Sequence, residues 1–206
     1  ADSRPFSYKN AVFILLREHQ KKYNLDSELK KIFGNKIKIL WAEEPTAGAP
    51  HSVLLARELI NNDEELIIDL PDQYLDTYGL MDFLKKNSEY HGVIPSFKSS
   101  YWNRGYMLID ENGFVRKVSE KDKIPISNDS TACISYFKRG RDFVSAAEEM
   151  IRKKRIASNG AYLISLAYNE MIEKGMKIRT YPCEFISTLG TIEGVNAFEQ
   201  HLRPLK

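Results

Sequence analysis

Nothing in this 206-residue sequence stays apolar long enough to cross a bilayer, and its opening, ADSRPFSYKN, has no signal-peptide core. A soluble, cytoplasmic protein is the expectation. Charge of one sign is missing too: 30 basic residues stand against 28 acidic ones, a net charge of +2, well short of the basic stripe that nucleic-acid binders carry. Neither nucleic acid nor a membrane is therefore expected as a partner. Cysteine is scarce. Cys133 and Cys183 lie far apart, and neither belongs to a close-spaced pair suited to zinc or thiol exchange, so both read as free thiols in a reducing compartment. The sequence also has no internal repeat and no low-complexity linker, which leaves a single domain over residues 1–206. Its 43% hydrophobic content is enough to fill one core.

What is present alternates. Val12 to Leu16 is a short continuous apolar run that suits a strand buried on both faces. Asp26-Ser27-Glu28-Leu29 opens an amphipathic run that stops at Gly34, and Ile37 to Trp41 is a second strand. Ser52 to Ile60 has helical spacing, and Leu66 to Leu70 is a third strand. Strand, helix, strand, helix, strand predicts right-handed βαβ units around a mostly parallel sheet with helices on both faces. In the second half Asp110-Glu111-Asn112-Gly113 is a turn between two strand-like runs, a hairpin. Asp129 to Phe137 reads as a strand, Arg141 to Arg155 and Tyr162 to Lys174 as helices, Met176 to Tyr181 as a strand, and Glu193 to His201 as a last helix.

Three segments have residues suited to chemistry. Pro45-Thr46-Ala47-Gly48-Ala49 joins a strand to a helix, where small residues let backbone approach a ligand, although taken alone it reads better as an ordinary turn. In Leu66-Ile67-Ile68-Asp69-Leu70-Pro71-Asp72-Gln73 an apolar strand runs into two acids, at the strand end where open α/β sheets bind ligands. Asp72 is the leading candidate for a magnesium ligand, and Asp69 reads better as a turn cap. In Glu120-Lys121 the carboxylate suits a sugar hydroxyl and the ammonium a phosphate, although the stretch RKVSEKDK is charged throughout and the pair taken alone reads better as a solvated surface.

Taken in order, T-A-G-A-x-x-S-x-L-L-A, L-I-I-x-x-x-D-Q, D-E-N-G, E-K, the S-T strand, Arg-Gly-Arg-Asp-Phe, Tyr-Asn-Glu-Met and L-G-T resemble the sugar-1-phosphate nucleotidyltransferases, the nucleotide-sugar pyrophosphorylases. More narrowly they are similar to the bacterial branch of capsule and surface-polysaccharide synthesis, whose strand-end motif resembles S-D-Q. The resemblance runs from about Val12 to Phe198. It implies a three-layer, Rossmann-like nucleotide-diphospho-sugar transferase fold and a reaction of a nucleoside triphosphate with a sugar 1-phosphate. The products would be a nucleotide sugar and pyrophosphate, with magnesium neutralising phosphate charge. On this reading Asp72 matches the metal aspartate and Gly48 and Ala49 the loop behind the base. Gly105, Glu120 and Lys121 match sugar-phosphate contacts, glycine at 105 leaving room for the ring.

The family also opens with a strand and a G-x-G-x-R loop that cradles the triphosphate, and the sequence has neither. The resemblance thus implies a chain that starts after the first strand and the main catalytic segment; Arg4 and Lys9 stand in no glycine-rich frame. Ala161 stands where an acid is usual, Cys133 where glycine is common, and Ser187-Thr188-Leu189 where a second metal aspartate is often found. No catalytic residue is assigned. Weak catalysis by the chain alone is expected. A degenerate sugar-phosphate-binding or assembly module is the alternative, and a metal-dependent glycosyltransferase using Asp72 and Asp76 ranks below it. Which sugar, which base and whether the chain forms a homo-oligomer stay open.

Overall fold

A computed structural model describes residues 10–77, 79–86 and 89–202; Arg4 and Lys9 lie outside them. The first half alternates as its patterning requires. β1 (Val12–Leu16), α1 (Arg17–Tyr23), α2 (Leu25–Phe33) and β2 (Lys38–Ala42) make a unit whose two strands pair in parallel, Val12 opposite Lys38. α2 ends where expected, at Gly34 with φ 81°, whose N–H donates to Lys30 O. α3 (Ala49–Leu54) and α4 (Arg57–Ile60) replace the single helix expected from Ser52 to Ile60. The break has a local cause: Leu55 and Ala56 donate three residues back, to Ser52 and Val53, which tightens the coil and ends the α-helical ladder.

β3 (Leu66–Asp69), β4 (Gln73–Leu75), α5 (Leu80–Lys86), β5 (Gly92–Lys98), β6 (Gly105–Ile109), β7 (Val115–Glu120), β8 (Asp129–Thr131) and β9 (Ile134–Phe137) follow. The chain ends with α6 (Gly140–Arg152), a single 3-10 turn at Ile164–Leu166, α7 (Ala167–Glu173), β10 (Ile178–Pro182), β11 (Ile186–Thr188) and α8 (Ile192–Leu202). The helix expected from Tyr162 starts late because the Tyr162 backbone bridges to Gly48 instead of coiling. No helix among the described residues is long and apolar enough to cross a membrane.

The fold is α/β, but the mostly parallel sheet expected from the first half does not form. Seven strands join in the order β3-β9-β5-β8-β6-β7 with β10 on β5, and only β5 with β10 is parallel. The parallel pair β1-β2 stands apart, as does the antiparallel pair β4-β11. A tight turn forces this direction only on β6 and β7, since strands joined by such a turn must run antiparallel; the other antiparallel neighbours come from distant parts of the chain. The turn between β6 and β7 is held by Gly113 N–H donating to Asp110 O, and by the Asp110 carboxylate accepting from the N–H groups of Asn112 and Phe114.

The main core lies where α6 and α7 pack on the large sheet, around Phe137, Phe143, Met150 and Tyr168, all fully buried. The Tyr-Asn-Glu-Met motif of α7 is architectural. Tyr168 stacks on Phe137 at 4.6 Å with rings 6° from parallel, and its hydroxyl donates to Tyr136 O at 2.9 Å. Asn169 lies against β7: its side-chain oxygen accepts from Val118 N–H and its amide donates to Val118 O, both at 2.8 Å, as a neighbouring strand would. Glu170, 1% exposed, pairs with Lys153 at 2.7 Å and faces Arg155 Nε at 2.8 Å, off-axis for a hydrogen bond. Met171 completes the core. By contrast, α1 and α2 bury no residue and all five residues of β1 are only half-buried, so the first unit is loosely packed.

Replacing Asn169 by Ala leaves two buried backbone groups of Val118 unpaired, and at about 1–3 kcal/mol for each buried unsatisfied group the loss of unfolding free energy should be roughly 2–6 kcal/mol. Urea unfolding of the two proteins checks it, and a loss well under 1 kcal/mol would show that water enters and takes the place of the amide.

Candidate functional site

One strand organises this region. β8 and β9 run antiparallel along the same edge of β5, with Ser96 opposite Thr131 and Val93 opposite Tyr136, so they are one strand broken at Ala132-Cys133. Its other edge is shared. β3 takes the β9 half, Asp69 opposite Ile134, and β6 takes the β8 half, Tyr106 opposite Ser130. The carboxyl end of β3 and the start of β6 therefore face each other across the break, separated by four strand positions or on the order of 10 Å. In sequence, residues 129–137 read as one unbroken strand, which hides this breach.

Glu120 sits at one side of it. It ends β7 opposite Gly105 and is 7% exposed, so it is not the solvated surface residue that its charged neighbours suggested. Ser165 donates its hydroxyl to Oε1, and the Thr131 hydroxyl bonds the same carboxylate. The glycine at 105 is required by that carboxylate rather than by a ligand ring: a Cβ there would overlap both the Glu120 carboxylate and the Thr131 hydroxyl. Burial pushes the Glu120 carboxyl above its ordinary value of 4.5, against the opposing pull of Ser165, Lys121 and Thr131. The sequence does not mark Ser165 or Thr131 as a partner of Glu120, because Ser and Thr beside strands are commonplace; the S-T pair Ser130-Thr131 is a signal for the second only.

Lys121 takes a left-handed backbone conformation, φ 61°, uncommon for a residue with a side chain. Its N–H donates to Arg104 O at 3.1 Å and its ammonium to Asn103 O at 2.8 Å, so the turn out of β7 is clamped to the loop that leads into β6. Non-glycine residues held in this region cost of order 1–3 kcal/mol, and such positions cluster where ligands are gripped.

The remaining expected residues ring the same region. Gly48, φ 141°, bridges to Tyr162, and a Cβ at 48 would overlap the Tyr162 carbonyl oxygen, so close backbone approach explains this glycine by itself. Ala49 begins α3 directly after it. The segment after the bridge reaches Glu120 through Ser165, and Ser158 N–H donates to Glu120 O at 3.1 Å, which links the Gly48 loop to the Glu120 side of the breach. Ala161 lies in the turn Ala157–Ala161, closed by Ala157 N–H on Ala161 O. Cys133 is buried at the strand break, and its backbone oxygen accepts from Leu70 N–H.

Asp72 is exposed in the turn between β3 and β4, on the opposite side of the breach. Its backbone oxygen accepts from Leu189 N–H at 2.6 Å, and Gln73 pairs with Thr188, so Ser187-Thr188-Leu189 does lie against it. That neighbour supplies no carboxylate, and among the described residues no three His, Cys, Asp or Glu side chains gather into a metal cage. The donor set fits magnesium only in the mode in which one carboxylate holds a largely hydrated ion and substrate phosphates complete it. Asp76 does not add a second point: four positions along an extended segment span about 13 Å, too far for one ion.

A buried carboxylate with a raised pKa binds protons more tightly folded than unfolded, so stability conferred by its neutral form is present at low pH and is lost as pH rises from the ordinary glutamate range through the folded value. Glu120→Gln should therefore melt close to the native protein at acidic pH and above it at neutral pH, the gap widening as pH rises. Melting curves across pH check this, and a substitution that destabilises most at neutral pH would show that the ionised carboxylate is fully compensated.

No protein-family model and no curated protein matches the sequence. Solved structures do match. The nucleoside-diphosphate-sugar pyrophosphorylase of Vibrio cholerae RC9 superposes with a TM-score of 0.77 at 18% identity, over 92% of this chain and 80% of that one. A Bacillus anthracis protein named as a glucose-1-phosphate thymidylyltransferase, solved with a sucrose, gives 0.70 at 15% identity over 95% and 76%. A UDP-glucose pyrophosphorylase solved with UDP-glucose gives 0.69 at 16% identity over 92% and 80%. At these identities the likeness is one of fold, and the fold of this chain is that of the solved nucleotide-sugar pyrophosphorylases and thymidylyltransferases.

Proposed function

We propose that this chain is a nucleotidyltransferase-type domain that binds a sugar 1-phosphate beside Glu120 and a nucleoside triphosphate on the Gly48-Ala49 side of the same breach. The observation that supports this most is the buried Glu120 carboxylate: it sits at a strand end among hydroxyls, next to a lysine held in a strained backbone conformation, on a fold whose solved examples include nucleotide-sugar pyrophosphorylases. The reaction that fits is attack of the sugar phosphate oxygen on the α-phosphorus of the triphosphate, giving a nucleotide sugar and releasing pyrophosphate. Sugars activated in this way serve bacterial surface polysaccharides, the branch that the sequence motifs resemble.

Each residue has a limited task in this reading. Glu120 accepts from sugar hydroxyls and fixes the ring. Lys121 keeps one donor on Asn103 O and has two more to direct at the phosphate. Gly48 and Ala49 keep the backbone low beside the base. Asp72 would hold magnesium, which when bound neutralises charge on the phosphates. Catalysis by these 206 residues alone is expected to be slow, because the sequence has no G-x-G-x-R loop and the segment against Asp72, Ser187-Thr188-Leu189, has no acid. The same two observations favour a second reading, a binding module that holds the sugar phosphate without turning it over.

Calorimetric titration of sugar 1-phosphates and nucleotides separates the outcomes. Sugar 1-phosphates should bind more tightly than free nucleotides, and Lys121→Ala should weaken them by on the order of 1–3 kcal/mol. Preference for nucleotides, or indifference to the substitution, would contradict the assignment of this side of the breach. With magnesium and nucleoside triphosphate added, little pyrophosphate should appear; rapid release would overturn the expectation of slow catalysis.

A further inference from the structure

The loop from Ser99 to Arg104 displays two large aromatic side chains to solvent, Tyr101 at 56% and Trp102 at 51% exposure, with ring centroids 6.2 Å apart and planes 46° from parallel. Single exposed aromatics need no explanation, but this pair is held in place. Ser99 N–H donates to Asn128 O at 3.0 Å, Tyr101 N–H to the Ser99 hydroxyl at 3.2 Å, and the hydroxyl of fully buried Tyr106 to Tyr101 O at 2.7 Å. From the other side Lys121 bonds both Asn103 O and Arg104 O. The loop is thus continuous with the Glu120-Lys121 corner, and Lys121's left-handed conformation is what lets one residue clamp it twice.

The same loop carries cationic charge with unused bonding capacity. The Arg104 guanidinium lies 5.0 Å from the Phe97 ring centroid, and its buried Nε has no hydrogen-bond partner among the described residues. The loop that bears the two exposed rings and Arg104 is thus bonded to the turn that bears Glu120 and Lys121, and this set of groups suits a molecule with a flat apolar face, hydroxyls and negative charge. A sugar phosphate has all three. The C–H bonds on one face of a pyranose ring carry partial positive charge and meet the negative face of an indole or phenol, while the ring hydroxyls point outward to polar partners.

We propose that Tyr101 and Trp102 form an aromatic platform on which the sugar ring of the glycosyl phosphate stacks, Trp102 bearing most of the contact. This rests on the reading of the Glu120 corner as a sugar-phosphate site and adds what selects the sugar: a ring with an uninterrupted apolar face stacks, and one with an axial hydroxyl on that face is disfavoured.

The test is calorimetry on the full chain with four probes: glucose 1-phosphate, galactose 1-phosphate, inorganic phosphate and a nucleoside triphosphate, titrated into native protein, Trp102→Ala and Trp102→Phe. Trp102→Ala should weaken glucose 1-phosphate about fivefold to tenfold, Trp102→Phe should restore most of the loss, and inorganic phosphate and the triphosphate should be unchanged. Galactose 1-phosphate, with its axial hydroxyl, should be weaker than glucose 1-phosphate on the native protein and nearly equal to it on Trp102→Ala. Unchanged melting temperatures exclude a folding defect. If native protein binds the sugar phosphates and Trp102→Ala binds them equally well, the platform is wrong while the site stands. Loss confined to the triphosphate makes the occupant a base and also overturns the proposal. Failure of native protein to bind any sugar phosphate removes both the site and the platform.

Discussion

The two halves of β8-β9, broken at Ala132-Cys133, bind β5 along one edge and divide the other edge between β3 and β6. This sharing is the constraint on which the rest depends. A continuous strand there would carry one neighbour along its whole length, and the sheet would close without a breach. Because it is broken, the carboxyl end of β3 and the start of β6, from different parts of the chain, meet at one spot. The turn that carries Asp72 on one side, and the strand ends Gly105 and Glu120 with Lys121 just beyond on the other, are brought to the same region.

Around that breach the packing is costly and specific. Glu120 is dehydrated, and hydroxyls from two separate elements, Ser165 and Thr131, partly compensate its carboxylate; the space it needs exists only because residue 105 has no side chain. Lys121 is bent into a left-handed conformation and anchors the Ser99–Arg104 loop. The stability for such strain comes from elsewhere, from the stacked Tyr168 and Phe137, the strand-like pairing of Asn169 with Val118, and the Glu170 ion pairs that tie α7 to the Lys153–Arg155 segment. A rigid core behind a strained rim is the arrangement expected when the rim does the binding.

Local elements were legible in the sequence. The strands Val12 to Leu16 and Leu66 to Leu70, the stop at Gly34 and the Asp110-Gly113 turn all follow from apolar spacing and turn chemistry, and the structure places each within a residue or two. Sheet direction was not legible, because an apolar run of five residues reads the same whether its neighbour runs parallel or antiparallel. Nor was the broken strand, since nothing in Asp129 to Phe137 marks Ala132-Cys133 as a gap. The site was half legible. Glu120-Lys121 stands out as a carboxylate beside an ammonium, yet its charged neighbours favour an open surface, and only tertiary burial decides between them. Gly48 and Gly105 were noticed as ligand-facing, whereas each is fixed first by a close approach within the protein. Trp102 and Arg104 drew no notice, as an exposed aromatic in a loop has no periodic signature.

A crystal structure of this chain with a bound sugar 1-phosphate tests the central claim most directly. The account predicts the sugar at the breach between β3 and β6, its hydroxyls within hydrogen-bond distance of the Glu120 carboxylate and its phosphate beside the Lys121 ammonium. A sugar phosphate lodged elsewhere, with Glu120 still sealed behind Ser165 and Thr131, would contradict it.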